Sequence, residues 1–175
     1  MTSNAKDSPH VVTHQLAASG GVPNHPRWPL LVYPGAVAIG GADPAAAFEA
    51  LFDRNGWPAA WRNGVYPFHH FHCDAHEALG VYGGEVTVQF GGDSGVVIIA
   101  GPGDVIVLPA GTGHKMLSSR GDVGIVGAYP AGQHPDMCTP LTANPQRSAA
   151  AVAHVPLPQG DPVYGAGGPL FSHWK

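Results

Sequence analysis

From Val65 onward the apolar residues fall in short runs separated by glycine- and proline-bearing turns, the punctuation of an all-β protein. The pattern predicts strands near 65–73, 77–83, 85–91, 95–100, 104–108, 113–118 and 122–129. Turns are expected at Gly83-Gly84, Gly91-Gly92-Asp93, Gly101-Pro102-Gly103 and Ser119-Arg120-Gly121. Two runs, Val96-Val97-Ile98-Ile99 and Val105-Ile106-Val107-Leu108, are apolar without interruption, whereas a strand with one wet face alternates. Both faces of these strands should therefore be covered: one by the sheet's own interior, the other by a helix, an arm or a second subunit. A homodimer is the expected assembly.

Upstream of the strands the period changes. Asp43-Pro44 is a helix start, with Asp able to cap free amides and Pro favoured at the first helical position. Phe48, Leu51 and Phe52 follow at i, i+3 and i+4, and Asn55-Gly56 ends the element. This single helix should pack its apolar face against the outside of the sheet. The stretch Pro23 to Gly41 reads as an arm with a short strand, Leu30-Leu31-Val32-Tyr33. Residues 1–22 lack periodicity and read as a flexible leader. The chain from Gln133 is rich in Pro, Ala and Gly and is expected to wrap the surface. With no internal repeat, residues 23–175 form one domain: arm and helix 23–63, barrel core 64–130, wrapping tail 131–175.

A length of 175 residues suits one domain with a packed core. The net charge is −4 and the eight Lys and Arg are unclustered, which argues against nucleic acid as a partner. The N-terminus has no apolar run behind a basic start, so no signal peptide is expected. No apolar run approaches the roughly 20 residues of a membrane span. A soluble, cytoplasmic protein is the expectation, and Cys73 and Cys138 should then be free thiols.

The candidate chemistry lies in His70, His72, Glu77 and His114. In an extended strand His70 and His72 point the same way, roughly 6.6–6.8 Å apart, with Phe71 turned to the other face. Glu77, past a tight turn, can return on a neighbouring strand and close on the same point. His114 arrives from elsewhere in the sheet. Three imidazoles and one carboxylate suit one divalent transition metal per subunit, Fe, Mn, Ni, Zn or Cu. Four protein donors leave two positions of a six-coordinate ion open to solvent or a chelating small molecule. Tyr66 and Phe68 share the phase of His70, and Leu79 and Val81 that of Glu77, so these four are expected to line the pocket. By alternation His69 and His76 face outward or into the turn, and Cys73 faces away from His70 and His72. Tyr82, His134 and Asp136 receive no role, and neither a nucleophile elbow nor a phosphate loop is present.

Spelled out, the first block is Gly64, five residues, His70-Phe71-His72, four residues, Glu77, six residues, Gly84. The second is Gly103, five residues, Pro109-Ala110-Gly111, two residues, His114. These resemble the two signature motifs of the cupin superfamily at every position but the last, where Ser118 stands in place of Asn. Segments such as Asn55-Gly56-Trp57, Trp61-Arg62-Asn63-Gly64, Tyr129-Pro130-Ala131-Gly132-Gln133 and Asp161-Pro162-Val163-Tyr164-Gly165 are further similar to the small bacterial cupins of the YjlB type. The resemblance implies an RmlC-like jelly-roll β-barrel with metal at the four donors. Two function classes follow. One is a metal-dependent enzyme, a dioxygenase or an isomerase or lyase acting on a small molecule; the other is a non-catalytic metal- or ligand-binding or sensor cupin.

Overall fold

The structure, a computed structural model, describes residues 9–175. In chain order the elements are β1 (Val12–His14), β2 (Leu30–Tyr33), α1 (Pro44–Arg54), β3 (Ala59–Asn63), β4 (Glu77–Phe90), β5 (Val96–Ala100), β6 (Val105–Leu108), β7 (His114–Ala128), α2 (Pro145–His154) and α3 (Leu170–His173). The sheet runs β1-β2-β6-β4-β7-β3, with β5 on β4, and each of these pairings is antiparallel. This is the expected all-β jelly-roll barrel.

Two long strands bend to make it. The pattern predicts breaks at Gly83-Gly84 and at Ser119-Arg120-Gly121, yet β4 and β7 run through both. Their ladder shifts register between Val81 and Glu85, where Gly84 takes φ 62° and Gly83 pairs with Gly124. A glycine-bearing bulge bends and twists a strand without ending it. The first half of β4 therefore pairs with β6 and the second half with β5, both against β7.

Strand β6 separates two apolar layers. Ile106 and Leu108 face the barrel interior with Leu79, Val81, Val86, Val88, Phe90 and Ile125. Val105 and Val107 face outward into a layer built by Phe48 and Phe52 of α1, Trp57, Tyr33, Leu170 and Trp174. Helix and tail thus provide the second cover that the unbroken apolar run of β6 requires. Gly80 of β4 is needed here, because a Cβ at that position would lie 2.2 Å from Phe48 Cδ1. On β5 the expectation fails within the single chain: Val97 and Ile99 are exposed while Val96 and Ile98 are half-buried.

Several local expectations are corrected. Asp43 precedes α1 but makes no side-chain cap; its carboxylate pairs with Arg62, which also binds Glu49. Of the segment read as a leader, residues 1–8 lie outside the described residues, and Val12–His14 is held as a strand by pairing with β2, which its local pattern does not encode. The predicted strand 65–73 reduces to two isolated bridges, His70 with His114 and Phe71 with Cys138. The tail carries α2, capped by Asn144 accepting from Arg147 N, and the short α3. Buried Asp161 anchors the tail by accepting from Tyr33 Oη and from the amides of Val163, Tyr164 and Leu170. Among the described residues no helix is long and apolar enough to cross a membrane.

Candidate metal centre

The alternation expected of His70-Phe71-His72 survives without a regular strand. Phe71 is buried in a separate cluster with Val22, Cys73, Ala110, Val152 and Val155, while His70 and His72 turn into the barrel. His70 is fixed by backbone exchange with His114, whose amide and carbonyl pair with its own at 3.0 and 3.2 Å. Glu77 opens β4 in the inward phase of Leu79 and Val81. The turn before His114 is tied down by Gly111 N donating to His72 O and by Thr112 Oγ1 donating to Pro109 O.

One ring nitrogen of each of His70, His72 and His114 lies within 4.8 Å of the others. Glu77 Oε2 lies 3.2 Å from His114 Nε2 and 3.5 Å from His72 Nε2. The opposite nitrogens are all engaged by backbone carbonyls: His70 Nδ1 by Phe68 O at 3.3 Å, His114 Nδ1 by Thr112 O at 3.0 Å, and His72 Nδ1 by Asp136 O. A carbonyl only accepts, so each Nδ1 carries the proton and each Nε2 offers a lone pair. Glu77 Oε2 is itself buried without a hydrogen-bond partner. Three lone pairs and a carboxylate oxygen therefore converge where no donor is supplied, an arrangement that a cation satisfies.

The electrostatics agree. Burial, then the neighbouring His114, depress the His70 pKa to about 3, so this ring is neutral and able to ligate. Burial pushes Glu77 upward, but the imidazoles of His114 and His72 more than offset it and hold the carboxyl well below its ordinary range. His72 is also opposed by burial, and the Glu77 carboxylate nevertheless raises it above the usual histidine value. A cation bound there competes with protons for the His72 ring.

These four side chains border a cavity of about 290 Å³. Of the residues expected to line it, Tyr66 and Leu79 do so. Phe68 is 46% exposed and stacks on Tyr66 at 5.0 Å outside the cavity, and Val81 is buried in the barrel core. The cavity also takes Trp61, Asn63, Tyr129 and Met137, for which no role was expected. Trp61 Nε1 donates to Tyr129 Oη at 3.0 Å, and burial together with the Glu77 charge raises the Tyr129 pKa. Their approach from β3 and the end of β7 is a tertiary pairing with no local signature.

His76 does not face outward. It is wholly buried, accepts from Ala110 N at 2.8 Å through Nδ1, and donates from Nε2 to Pro156 O at 3.1 Å, beside Trp28 and Trp174. It steadies the turn that leads to His114. His69 lies off the cavity, 3.4 Å from Asp93. Cys73 and Cys138 are free, as expected. His134 is exposed, and Tyr82 packs against the outer apolar layer. Asp136 orients His72 through its carbonyl, a role visible only once the tail is placed.

No family model matches the chain. Over 162 residues, 93% of this chain and 95% of the relative, it is 38% identical to the uncharacterized protein YjlB of Bacillus subtilis (strain 168). Among solved structures it is similar to a DUF861 family protein of Thermotoga maritima, with a TM-score of 0.32 and 24% identity over 52% of this chain and 96% of that one. It is also similar to RmlC of Streptococcus suis, solved with dTDP-D-xylose, with a TM-score of 0.36 and 12% identity over 70% and 71% of the two chains. At 38% identity over nearly its full length, the chain belongs to the YjlB family of small bacterial cupins.

Proposed function

We propose that the protein binds one divalent transition metal through His70, His72, Glu77 and His114 and acts on a small chelating molecule in the cavity above it, as a dioxygenase or as an isomerase or lyase. The observation that carries this reading is the donor set: every Nδ1 is occupied by a carbonyl, leaving acceptor atoms alone to converge on buried Glu77. An ion held there supplies Lewis-acid polarisation of a carbonyl or enol and, for iron, manganese or copper, activation of dioxygen. The chain's own residues do the rest. Trp61, Leu79 and Tyr129 line the cavity and exclude water around a ligand, and half-exposed Tyr66 stands at the mouth beside His70. At about 290 Å³ the space admits a small molecule and not a large one.

One feature favours a second reading, a non-catalytic ligand-binding or sensor cupin. Among the described residues, the lining beyond the four donors offers two tyrosines but no carboxylate, His, Lys or Cys to move a proton. The open face of β5, with Val97 and Ile99 outward, is where a second subunit would complete a homodimer. The two free thiols suit a reducing compartment such as the cytoplasm.

Cobalt-substituted protein tests the proposal. A small carboxylate, enol or catechol should alter its visible spectrum in wild type and leave that of a variant with the cavity filled, Gly64→Trp, unaltered. Oxygen uptake or isomer formation over a panel of such compounds marks the enzyme. Spectral changes with no turnover across the panel mark the binding protein, and an unchanged spectrum refutes both.

A further inference from the structure

A second cluster of ligating atoms lies behind the first, in the packing that holds the tail against the barrel. The sulfurs of Cys73 and Cys138 are 3.7 Å apart, Cys138 Sγ is 3.1 Å from Asp136 Oδ2, and one ligand atom from each of the three residues lies within 4.8 Å of the others. The backbone fixes them there. Phe71 and Cys138 exchange both amide-to-carbonyl hydrogen bonds, so the chain on either side of Cys138 runs antiparallel to the 71–74 segment. Asp136 Oδ1 accepts from the amides of Cys73 and Asp74 at 2.6 and 3.2 Å, which turns Oδ2 toward the sulfurs.

We propose that Cys73, Asp136 and Cys138 form a separate thiolate metal site for a soft or borderline ion, Zn(II) or Cu(I). The spacing is the first argument. Two thiolates at about 2.3 Å from one tetrahedral ion stand about 3.8 Å apart, which is the sulfur separation already present. The second argument is access: these atoms border a cavity of about 360 Å³ whose wall includes Asn144, Arg147 and Ser148 at the start of α2, so an ion can enter and keep a position open to solvent. The third is donor chemistry. Two sulfurs and one carboxylate oxygen select softer ions than the three imidazoles and carboxylate of the barrel, so the two sites sort metals between them. On binding, each sulfur exchanges its thiol proton, released to solvent, for the bond to the metal. No electron moves.

Asp136 links the sites, since its carbonyl receives His72 Nδ1–H while its carboxylate faces the sulfurs. An ion on the thiolates would therefore fix the residue that orients a barrel ligand.

Cobalt(II) titration of the reduced, metal-free protein separates this site from the histidine centre, because only sulfur donors give the intense thiolate-to-cobalt charge-transfer absorption in the near ultraviolet. The expected result is that band in wild type, complete by two cobalt per chain, one for each site, and lost in both Cys73→Ser and Cys138→Ser. The weaker visible bands of the histidine site persist in both variants. Zinc should also slow alkylation of the two thiols in wild type, a measurement that needs no variant. The proposal is overturned if wild type gives no such band, if the band survives both substitutions, or if zinc leaves alkylation unchanged while the two cysteines readily oxidise to a disulfide.

Discussion

Replacing His76 by Asn should remove the acid sensitivity that this buried ring imposes on the fold. The imidazole accepts from Ala110 N and donates to Pro156 O; burial, partly offset by the Pro156 carbonyl and reinforced by His25, lowers its pKa from 6.5 to about 3. The unfolded chain takes up a proton near pH 6.5 and the folded chain does not until about pH 3, so the unfolded state binds more protons across that window. Stability is then fully present above pH 6.5 and falls with pH inside the window, by at most about 1.4 kcal/mol per unit. By pH 4.5 this group alone removes about 2.7 kcal/mol. Asn can keep the Ala110 contact through its carbonyl, loses the bond to Pro156 and the ring packing, and does not titrate. At pH 7.5 the variant should be about 2–4 kcal/mol less stable than wild type. At pH 4.5 the gap should have shrunk by about 2.7 kcal/mol, close to zero. Urea unfolding followed by tryptophan fluorescence, in chelator to remove metal contributions, reads both values. A gap that is the same at pH 7.5 and pH 4.5 refutes the assignment of a neutral His76 in the folded state.

His72→Ala and His114→Ala should each weaken transition-metal binding on the order of 100-fold or more, while His69→Ala, off the cavity, should change it by less than about threefold in calorimetric titration. The melting-temperature increase given by added metal should fade from pH 8 to pH 5, because protons compete for the imidazoles and the Glu77–His72 pair; an equal increase at both pH values would contradict a histidine site. Gly80→Ala should destabilise by about 1–3 kcal/mol through collision with Phe48, and adding Phe48→Leu should recover part of that loss in a double-mutant cycle.

The gathering of His70, His72 and His114 beside Glu77 was legible because it depends on alternation and spacing, which the chain states directly. That alternation persists even where 65–73 is not a regular strand, so the conclusion did not depend on the element that suggested it. The bends of β4 and β7 were less legible: glycine reads alike as a turn and as a bulge, and only the partner strand decides. α2 carried a readable start, Asn144-Pro145, the same signal that marks α1, but its alanine-rich body lacks the strong apolar period of Phe48 and Phe52. β1, the stacking of Trp28 on Trp174, and the arrival of Asp136 behind His72 depend on contacts between distant segments and leave no local trace. Burial of His76 followed the same rule. Its outward phase is correct for the barrel, but the tail and arm cover that face.

Anomalous diffraction from crystals of metal-replete protein, collected across the absorption edge of the bound element, tests the central claim most directly. A peak is predicted at the convergence of His70 Nε2, His72 Nε2, His114 Nε2 and Glu77 Oε2, about 2.0–2.2 Å from each. No peak there, or one ligated by Nδ1 atoms or by a fifth and sixth protein donor, would contradict an open histidine and carboxylate centre.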